Sequence, residues 1–544
     1  MDLSHCFESL VIILRKKSYK PTAADDQSTG IYLLKKGQSG IFRLVFSRMS
    51  IVLILLLLNI TILLAVFGWF EELLPLFYGA STVLVVAMVI YLINSRMDAS
   101  VKITWLIVIM LLPVFGSLLY LYIQTEVGHR AMKNRLQKMY ATTKNRLQPT
   151  EGIVNLAEED PGAAAMARYV NGFTGIPVYQ NSDVTYFPCG EAMFEQMLQE
   201  LEQATASIYL EYFIIDEGKM WGSILEILAR KSAQGVDVRV MYDGTCEFIL
   251  LPKGYAEKLQ KLGIKCRVFA PVTPFVSTHY NYRDHRKILT IDGKVAFTGG
   301  INLADEYINA KTLFGYWKDT AVMIRGEAPK GLEHMFLQAW NLKEKDFAFP
   351  EPESNVPQNT GYEGFVMPYF EDPLDNEHVG KQVYIDILNR AKRYVHIMTP
   401  YLILDGEVET ALKYAAKRGV DVTLLLPGIP YKKIPYALAK SHYASLTEAG
   451  VKIFEYTPGF VHAKVMVSDD REAVVGTINL DYRSLYHHFE CAVYLYNTPC
   501  IEDIALDFDS SIVKSRRATP QSIKNENLFY KVTGRLLKVI APLL

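Results

Sequence analysis

From about residue 166 onward the chain repeats itself, and this duplication restricts the possible folds more than any other feature. The stretch SIYLEYFIIDEG, residues 207–218, resembles VHIMTPYLILDGE, residues 395–407, and both indicate a buried strand followed by an acidic turn. Further along, QGVDVRVMYDG, residues 234–244, matches RGVDVTLLLPG, residues 418–428, a turn that leads into another strand. Helical segments follow the strands in both copies. The pattern therefore predicts one α/β unit present twice, joined head to tail.

The duplication also predicts the domain boundaries. At 544 residues the chain is too long to fold around one hydrophobic core. We expect a first α/β domain at residues 166–345 and a second at 376–544. The segment between them, 346–375, contains several prolines and glycines, which is typical of a linker.

Each copy carries the same polar side chains inside an otherwise apolar strand pattern. DHRKILTIDG in the first copy and VHAKVMVSDD in the second have a histidine, a lysine and an aspartate at the same offsets. A glycine, an asparagine and a later carboxylate follow in both copies, as GGINL with KDTAV and as GTINL with ECAVY. The equivalent pairs are His285 and His462, Lys287 and Lys464, Asp292 and Asp469, Asn302 and Asn479, and Asp319 and Glu490.

These residue types meet the needs of phosphodiester exchange. That reaction requires a nucleophile on one side of phosphorus, an acid for the departing oxygen, and positive donors around the charged oxygens. One imidazole would form a phosphohistidine, while the other would protonate the leaving alcohol and then deprotonate the incoming one. The lysine and asparagine pairs would bind the nonbridging oxygens in place of a metal ion. The Asp319 and Glu490 carboxylates would each fix the tautomer of a histidine through its far ring nitrogen.

Three uncharged apolar runs precede the duplicated part. They are Ile51–Phe70, Leu73–Ser95 and Ile103–Thr125. A helix of about 20 residues is long enough to cross about 30 Å of hydrocarbon, and each run has this length. Three runs in succession favour membrane insertion over burial in a core. The expected parts are a basic tail at 1–49, a transmembrane region of two or three helices at 50–125 and a basic linker at 126–165.

The basic residues do not decide which side of the membrane carries the duplicated part. Those before the first run place the N-terminus in the cytoplasm, and three crossings would then export the rest of the chain. Basic residues after the third run nevertheless favour the cytoplasmic side as well. Pro113 and Gly116 lie in the middle of the third run, so a re-entrant hairpin, or a first run that does not cross, would reconcile the two. We expect a multi-pass protein of the cell membrane, with the cytoplasmic side favoured.

Charge and cysteine content exclude other classes of protein. The 57 basic and 58 acidic side chains give a net charge of −1, so nothing global predicts a nucleic-acid partner. The six cysteines lie far apart without a Cys-x-x-Cys pair, which argues against a zinc site or a disulfide framework. We expect neither a metal ion nor another cofactor.

The repeated pattern His-x-Lys-x4-Asp, followed by Gly-[Gly/Thr]-x-Asn, resembles the phospholipase D superfamily over nearly all of residues 166–544. The stretch WLIVIMLLPVFGSLLYLY at 105–122, the phrase TPYLILD at 399–405 and the closing APLL are similar to bacterial cardiolipin synthases. The resemblance implies two α/β/α sandwich domains packed as a pseudo-dimer. It also implies a metal-free reaction that joins two phosphatidylglycerol molecules into cardiolipin, with release of glycerol, through a phosphatidyl-histidine.

The resemblance bears on individual residues as well. The six residues of the two His-Lys-Asp motifs, Asp292 and Asp469 included, are the candidate catalytic residues. The resemblance favours His285 as the nucleophile, and it implies that Asp292 and Asp469 are mainly structural. His487 and His488 lie near the second motif but have no histidine counterpart in the first copy, so we do not assign them a catalytic role. Family members usually have two N-terminal apolar segments where this chain has three, so their topology is not carried over.

Two other functions remain open. The same chemistry with water as the acceptor would make the chain a hydrolase of a phospholipid or, less compatibly with an anchor, of a nucleic acid. Sequence does not show whether the acceptor site excludes water. A non-catalytic membrane scaffold is the third alternative, and two intact copies of the histidine motif count against it.

The C-terminal segment Asn527–Leu544 has an apolar stripe at helical spacing. Most such stripes pack against a core, so we expect packing against the second domain, with membrane contact as the alternative. The stripe consists of Leu528, Val532, Leu536 and Ile540.

Overall fold

The structure is a computed structural model that describes most of the chain beyond residue 73. The described residues are 74–95, 97–124, 127–144, 146–147, 150–271, 282–344, 349, 361–375 and 377–543, together with Leu57 and Thr61. The expected basic tail at 1–49 lies outside them, and so does the first apolar run apart from those two residues.

The second and third apolar runs form three helices, not two. They are α1 (Leu74–Ile93), α2 (Ala99–Leu111) and α3 (Pro113–Gln124). The third run breaks because Leu112 leaves the helical conformation and Pro113 has no N–H to continue the helix. Trp105 and Tyr120 lie ring to ring at 5.2 Å, so α2 and α3 fold back on each other as a hairpin. Within the described part of the chain, no helix combines the length and apolarity of a membrane crossing.

The segment expected as a basic linker, 126–165, is largely helical. It contains α4 (Val127–Thr143), α5 (Gly152–Glu159) and the first turn of α6 (Pro161–Thr174). Leu136 and Met139 of α4 pack into a core that also contains Phe336 of the first copy and Phe489 of the second. The linker assignment rested on charge, and it missed the apolar face that attaches α4 to both copies.

The first copy is a seven-stranded mixed sheet with helices on its faces. Its strands are β1 (Ser182–Phe187), β2 (Ser207–Tyr212), β3 (Asp237–Asp243), β4 (Lys265–Phe269), β5 (Arg283–Asp284), β6 (Lys287–Ile291), β7 (Val295–Gly299), β8 (Tyr316–Lys318) and β9 (Ala321–Gly326). Its helices are α7 (Gly190–Gln203), α8 (Lys219–Ala233), α9 (Thr245–Ile249), α10 (Tyr255–Lys261) and α11 (Pro329–Trp340). The strand order is β1-β9-β7-β6-β2-β3-β4, and β5 and β8 lie outside this sheet.

The second copy repeats this order, which confirms the duplicated α/β unit. Its strands are β10 (Phe365–Glu371), β11 (Tyr394–Met398), β12 (Leu402–Ile403), β13 (Asp421–Pro427), β14 (Lys452–Tyr456), β15 (Gly459–Val461), β16 (Val465–Ser468), β17 (Glu472–Gly476), β18 (Leu480–Asp481), β19 (His488–Tyr496) and β20 (Ser515–Arg517). Its helices are α12 (Val379–Arg390), α13 (Gly406–Lys417), α14 (Lys433–Glu448), α15 (Tyr482–Tyr486), α16 (Cys500–Val513), α17 (Pro520–Lys524) and α18 (Leu528–Lys538). The order is β10-β19-β17-β16-β11-β13-β14-β20.

The second domain begins earlier than the sequence indicates. β10 lies inside the expected linker 346–375, yet it pairs with β19 over its whole length. This pairing joins residues far apart in the chain, so no local pattern reveals it. Residues 346–348 and 350–360 of the expected linker lie outside the described residues.

The two sheets pack face to face through one shared apolar layer. Side chains of β13 alternate, so that Leu424 and Leu426 join the core under α12–α14, while Leu425 joins the layer between the copies. Val322 of β9 and Val493 of β19 lie in the same layer. Two short strand pairs, β5 with β19 and β8 with β15, then cross from one copy to the other.

Candidate active site

His285 is placed by one of these crossing strand pairs. β5 runs parallel to the start of β19 with Asp284 opposite Phe489, so the same register brings His285 opposite Glu490. The His285 backbone N–H donates to the carbonyl of Phe489 at 2.9 Å. The imidazole Nδ1 lies 2.8 Å from Oε2 and 3.0 Å from Oε1 of Glu490. A histidine of the first copy thus contacts the carboxylate of the second.

His462 is placed by the equivalent pair in the opposite direction. β15 runs parallel to β8 with Val461 opposite Lys318, so His462 comes opposite Asp319. The His462 backbone N–H donates to the Lys318 carbonyl at 2.7 Å. The imidazole Nδ1 lies 2.6 Å from Asp319 Oδ2. The two histidine–carboxylate pairs are therefore crosswise, each joining one residue from each copy.

The carboxylates are fixed differently in the two copies. Glu490 accepts hydrogen bonds from the hydroxyls of Thr477 and Ser484, both at 2.5 Å. Asp319 is one methylene shorter, and Gly300 stands where the second copy has Thr477. A Cβ at Gly300 would lie 2.0 Å from Asp319 Oδ1, so a larger residue there would displace the carboxylate. This contact explains why the first copy reads Gly-Gly where the second reads Gly-Thr.

Burial sets the charge state of the two pairs. It lowers the pKa of His285 well below its ordinary value and that of His462 to about 4, although each carboxylate partner opposes the shift. Burial alone would raise the pKa of each carboxyl. The contact with His285 and the charges of His462 and Lys464 reverse this, and the pKa values of Glu490 and Asp319 fall below their ordinary range. A carboxylate only accepts hydrogen bonds, so each Nδ1 carries the hydrogen and each Nε2 keeps a lone pair.

Both motif lysines are fully buried beside the histidines. Lys287 Nζ donates to the carbonyl of His285 at 2.5 Å. Lys464 Nζ lies 2.8 Å from Nδ1 and 3.1 Å from Nε2 of His462. Burial lowers the pKa of Lys287 to about 8 and that of Lys464 to about 7. The charge of Lys287 also lowers the pKa of His462, so the first motif acts electrostatically on the second.

The two asparagines have different surroundings. Both polar atoms of the Asn302 amide have a partner, because its Oδ1 accepts from the N–H of Ile214 at 3.0 Å and its Nδ2 donates to Tyr307 at 2.8 Å. Asn479 is also buried, but its Oδ1 has no hydrogen-bond partner among the described residues. Phosphate binding by either residue stays a prediction.

The motif aspartates lie at hairpin turns, away from the histidines. Asp292 has a φ of +52° and joins β6 to β7, and Asp469 has a φ of +55° and joins β16 to β17. Asp292 accepts from the backbone N–H groups of the two residues that precede β2 and of its first residue, Ser207, at 2.8 Å each. Asp469 accepts in the same way from the two residues before β11 and from its first residue, Tyr394, at 2.7–2.9 Å. These contacts support the structural reading of both residues rather than a catalytic one.

Aromatic rings that the sequence did not indicate pack against both imidazoles. His488 lies 5.4 Å from His285, and Trp317 lies 5.4 Å from His462, centroid to centroid. Phe213 also meets His285 edge to face at 4.9 Å. His488 and Trp317 each stand two residues before the carboxylate of their copy. His488 therefore has a counterpart in Trp317, a different residue type at the equivalent position.

One group of side chains has the composition of a metal site. Candidate ligand atoms of His285, His488 and Glu490 lie within 4.8 Å of one another. Both Glu490 oxygens already accept hydrogen bonds from His285 and from hydroxyls, and we assign no ion to this group.

Comparison with known proteins places this geometry in a family. The family model of the cardiolipin synthase phospholipase D-like domain matches residues 197–321 and again 384–512. The phospholipase D-nuclease N-terminal model matches residues 83–124. A cardiolipin synthase of Halalkalibacterium halodurans is 31% identical over 92% of this chain and 100% of its own. The chain belongs to the bacterial cardiolipin synthases of the phospholipase D superfamily. This cardiolipin synthase family member is therefore an enzyme, a phosphatidyltransferase acting between phospholipids.

Two further comparisons complete the picture of this cardiolipin synthase family member. An uncharacterized protein of Streptococcus mutans serotype c is 53% identical over 84% of this chain and 99% of its own. The crystal structure of the phosphatidylserine synthase of Haemophilus influenzae Rd KW20 covers 70% of this chain and 100% of its own, with a TM-score of 0.53 and 15% identity. That structural likeness shows the fold alone.

Proposed function

We propose that this enzyme joins two phosphatidylglycerol molecules into cardiolipin and glycerol through a phosphatidyl-histidine intermediate. The observation that carries the proposal is the crosswise pairing of His285 with Glu490 and of His462 with Asp319. It supplies two imidazoles in one buried site, each with a fixed tautomer, and two lysines beside them.

In the first step, Nε2 of His285 attacks the phosphorus of the donor lipid. The P–N bond forms and the bond to the glycerol oxygen breaks, while His462 donates a proton to that oxygen. The anionic phosphodiester raises the proton affinity of His462 when it binds, because it adds a negative charge to a buried site. Lys287 and Lys464 stabilise the nonbridging oxygens.

In the second step, the acceptor is the free hydroxyl of another phosphatidylglycerol. His462, now neutral, removes the hydroxyl proton, and the oxygen attacks phosphorus as the P–N bond breaks. His285 returns to its starting state and cardiolipin is released. No net proton is gained or lost over the two steps.

The proposal includes attachment to the membrane through the helices α1–α3. Large apolar side chains on all three are exposed, among them Val83 at 71%, Leu111 at 74% and Leu118 at 47%. An apolar surface of this kind binds lipid more favourably than water. Attachment would keep the catalyst at the surface that holds both substrates and raise their effective concentration.

The test uses the purified full chain in mixed micelles of phosphatidylglycerol with a metal chelator. We expect cardiolipin and glycerol in equal amounts by mass spectrometry. His285→Asn and His462→Asn should each reduce turnover by at least about 10³-fold, because each removes a group that takes part in both steps.

A matched control is His334→Asn, which changes a buried histidine on α11 outside the site, hydrogen-bonded to Gln338. This variant should keep its turnover. Phosphatidic acid as the main product would show hydrolysis instead of transfer. Turnover that survives loss of either active-site histidine would contradict the mechanism.

A further inference from the structure

The C-terminal helix α18 presents its apolar stripe to the outside of the protein, contrary to the packing expected from the sequence. Leu528 is 73% exposed, Val532 48% and Leu536 67%. Phe529 at 59% and Val539 at 42% extend the same surface. With 3.6 residues per turn, these five side chains fall on one side of the helix.

The opposite side of α18 carries the packing. A Cβ added at Gly534 would lie 2.2 Å from the carbonyl oxygen of Ala437, so α18 lies directly on α14 at this point. Leu537 packs against the core of the second copy. The helix is thus firmly attached by a narrow strip of small and apolar residues. Its exposed stripe is a surface that the described fold leaves uncovered.

This surface continues into the N-terminal hairpin. Thr104 of α2 donates its hydroxyl proton to the carbonyl of Val539 at 2.8 Å, although the two residues are 435 positions apart. Leu543 packs into the hairpin core beside Trp105. Ile103, the neighbour of Thr104, is 57% exposed. The exposed apolar side chains of α18 and of the hairpin are therefore neighbours, where the middle of α2 contacts the C-terminal end of α18.

A basic side chain borders the stripe on one side. Arg535 lies in the last turn of α18 and is exposed. Lys538 of the same turn lies toward the packed side, where its Nζ is 3.7 Å from Oε2 of Glu409. The helical repeat places Arg535 next to the arc formed by Leu528 and Val539. Basic residues beside an exposed apolar arc are the pattern of helices that lie in the headgroup region of anionic bilayers.

We infer that α18 is a second membrane-binding element, whose apolar face inserts into the surface of an anionic phospholipid bilayer alongside the hairpin α2–α3. The inference rests on the proposed membrane attachment and extends it to the far end of the chain. Two attachment points, one from each terminal region, would fix the orientation of the second catalytic domain on the bilayer, which a single anchor leaves free to rotate.

The test places an environment-sensitive fluorophore on single introduced cysteines in the full chain, reconstituted into phosphatidylglycerol vesicles. Leu536→Cys probes α18. Leu506→Cys is the matched control, because it is 60% exposed on α16, which packs on the opposite face of the second sheet. Met110→Cys, 65% exposed on α2, reports the hairpin. The parent chain, labelled identically, gives the background from native cysteines.

The expected result is a blue shift at position 536 and quenching by lipids that carry a nitroxide near the headgroup, with neither at position 506. Arg535→Gln should reduce the quenching at 536 in phosphatidylglycerol vesicles and leave it unchanged in zwitterionic ones. A probe at 536 that stays in water while the probe at 110 is quenched would overturn the inference and leave the proposed attachment intact. A blue shift that depends on protein concentration without nitroxide quenching would identify a second copy as the occupant, and would also overturn it. None of these readouts depends on turnover.

Discussion

Asp292 and Asp469 stabilise the fold, whereas the histidine and lysine of the same motif lie in the candidate active site. Each occupies the first of two consecutive positions with positive φ in a hairpin turn, followed by Gly293 or Asp470. Asparagine and aspartate tolerate this conformation better than other side chains. The carboxylate accepts hydrogen bonds from backbone N–H groups at the start of the neighbouring strand. The motif aspartate thereby fixes the far end of the strand that begins at the motif lysine in the first copy and directly after it in the second.

We predict that Asp292→Asn lowers stability while turnover is retained. The amide keeps the turn conformation, but it loses the charge-assisted hydrogen bonds to the N–H groups of Ala206 and Ser207. The free energy of unfolding should fall by about 2–3 kcal/mol. Thermal unfolding measures the loss, and kcat measured well below the transition should stay within about threefold of the parent. Asp469→Asn should behave alike, and a folded variant without turnover would refute the structural role.

A second prediction concerns the pH dependence of activity. Burial lowers the pKa of Lys464 to about 7 and that of Lys287 to about 8, so both ammonium groups lose their protons in the empty enzyme as the pH rises through this range. An uncharged amine stabilises phosphate oxygens less than an ammonium does. We therefore expect kcat/KM to fall above about pH 7 to 8, by about tenfold per pH unit for each group lost.

The kcat profile should decline only at higher pH. The bound phosphodiester is an anion, and it raises the pKa of both lysines in the complex. Circular dichroism at each pH confirms that the fold is unchanged. A kcat/KM profile that stays flat up to pH 10 would contradict the assignment of the lysines to phosphate binding.

At the scale of elements, close packing at a glycine decides where α18 lies. Gly534 allows contact between the backbones of α18 and α14, and this contact turns the apolar stripe of α18 outward. The same principle acts at Gly300, where the absence of a side chain makes room for Asp319. At Gly534 the absence of a side chain allows α18 to approach α14, and at Gly300 it leaves room for the Asp319 carboxylate.

We predict that Gly534→Ala loosens α18, whereas Gly172→Ala does not loosen its own helix. The added methyl at Gly534 must displace α14, which costs about 1–3 kcal/mol. Gly172 lies in α6 with nothing within 4 Å of an added Cβ, so alanine there should stabilise the protein by up to about 1 kcal/mol. The change in the free energy of unfolding, measured by thermal unfolding, should have opposite signs for the two variants. Hydrogen exchange should become faster in α18 only for Gly534→Ala. Equal effects of the two substitutions would show that the close contact does not hold the helix.

At the scale of the whole molecule, the site forms because strands of the two domains pair across their interface. Each histidine comes from one copy and its carboxylate from the other, separated by 205 and 143 positions along the chain. Neither domain alone contains a complete pair. Replacing the carboxylate of one copy should therefore impair the histidine of the other copy.

This crossing predicts opposite kinetic effects for the two carboxylates. With a nitrophenyl ester of phosphatidic acid as donor, the leaving group needs no acid, so formation of the intermediate depends on His285 alone. Asp319→Asn, in the first copy, should leave a burst of nitrophenolate and slow the steady state by about 10²–10⁴-fold, because His462 no longer activates the acceptor. Glu490→Gln, in the second copy, should abolish the burst. Stopped-flow absorbance distinguishes the two, and the reverse assignment of bursts would make His462 the nucleophile.

The fold class, the duplication and the ten equivalent residues can all be predicted from the amino-acid sequence alone. Repetition and strand periodicity are local features, so His285 could be matched with His462 before any contact was known. The break of the third apolar run was also encoded locally, by Pro113.

How the matched residues combine depends on long-range contacts that no local pattern encodes. The pairing of His285 with Glu490 and of His462 with Asp319 joins distant segments, and both carboxylates look alike in the sequence. The position of His488 against His285 became meaningful only beside Trp317, a different residue type in the same place. The stripe of α18 has the same periodicity whether it faces a core or a lipid surface. Periodicity reports that one side of a helix is apolar, and the packing of neighbouring elements determines what that side faces.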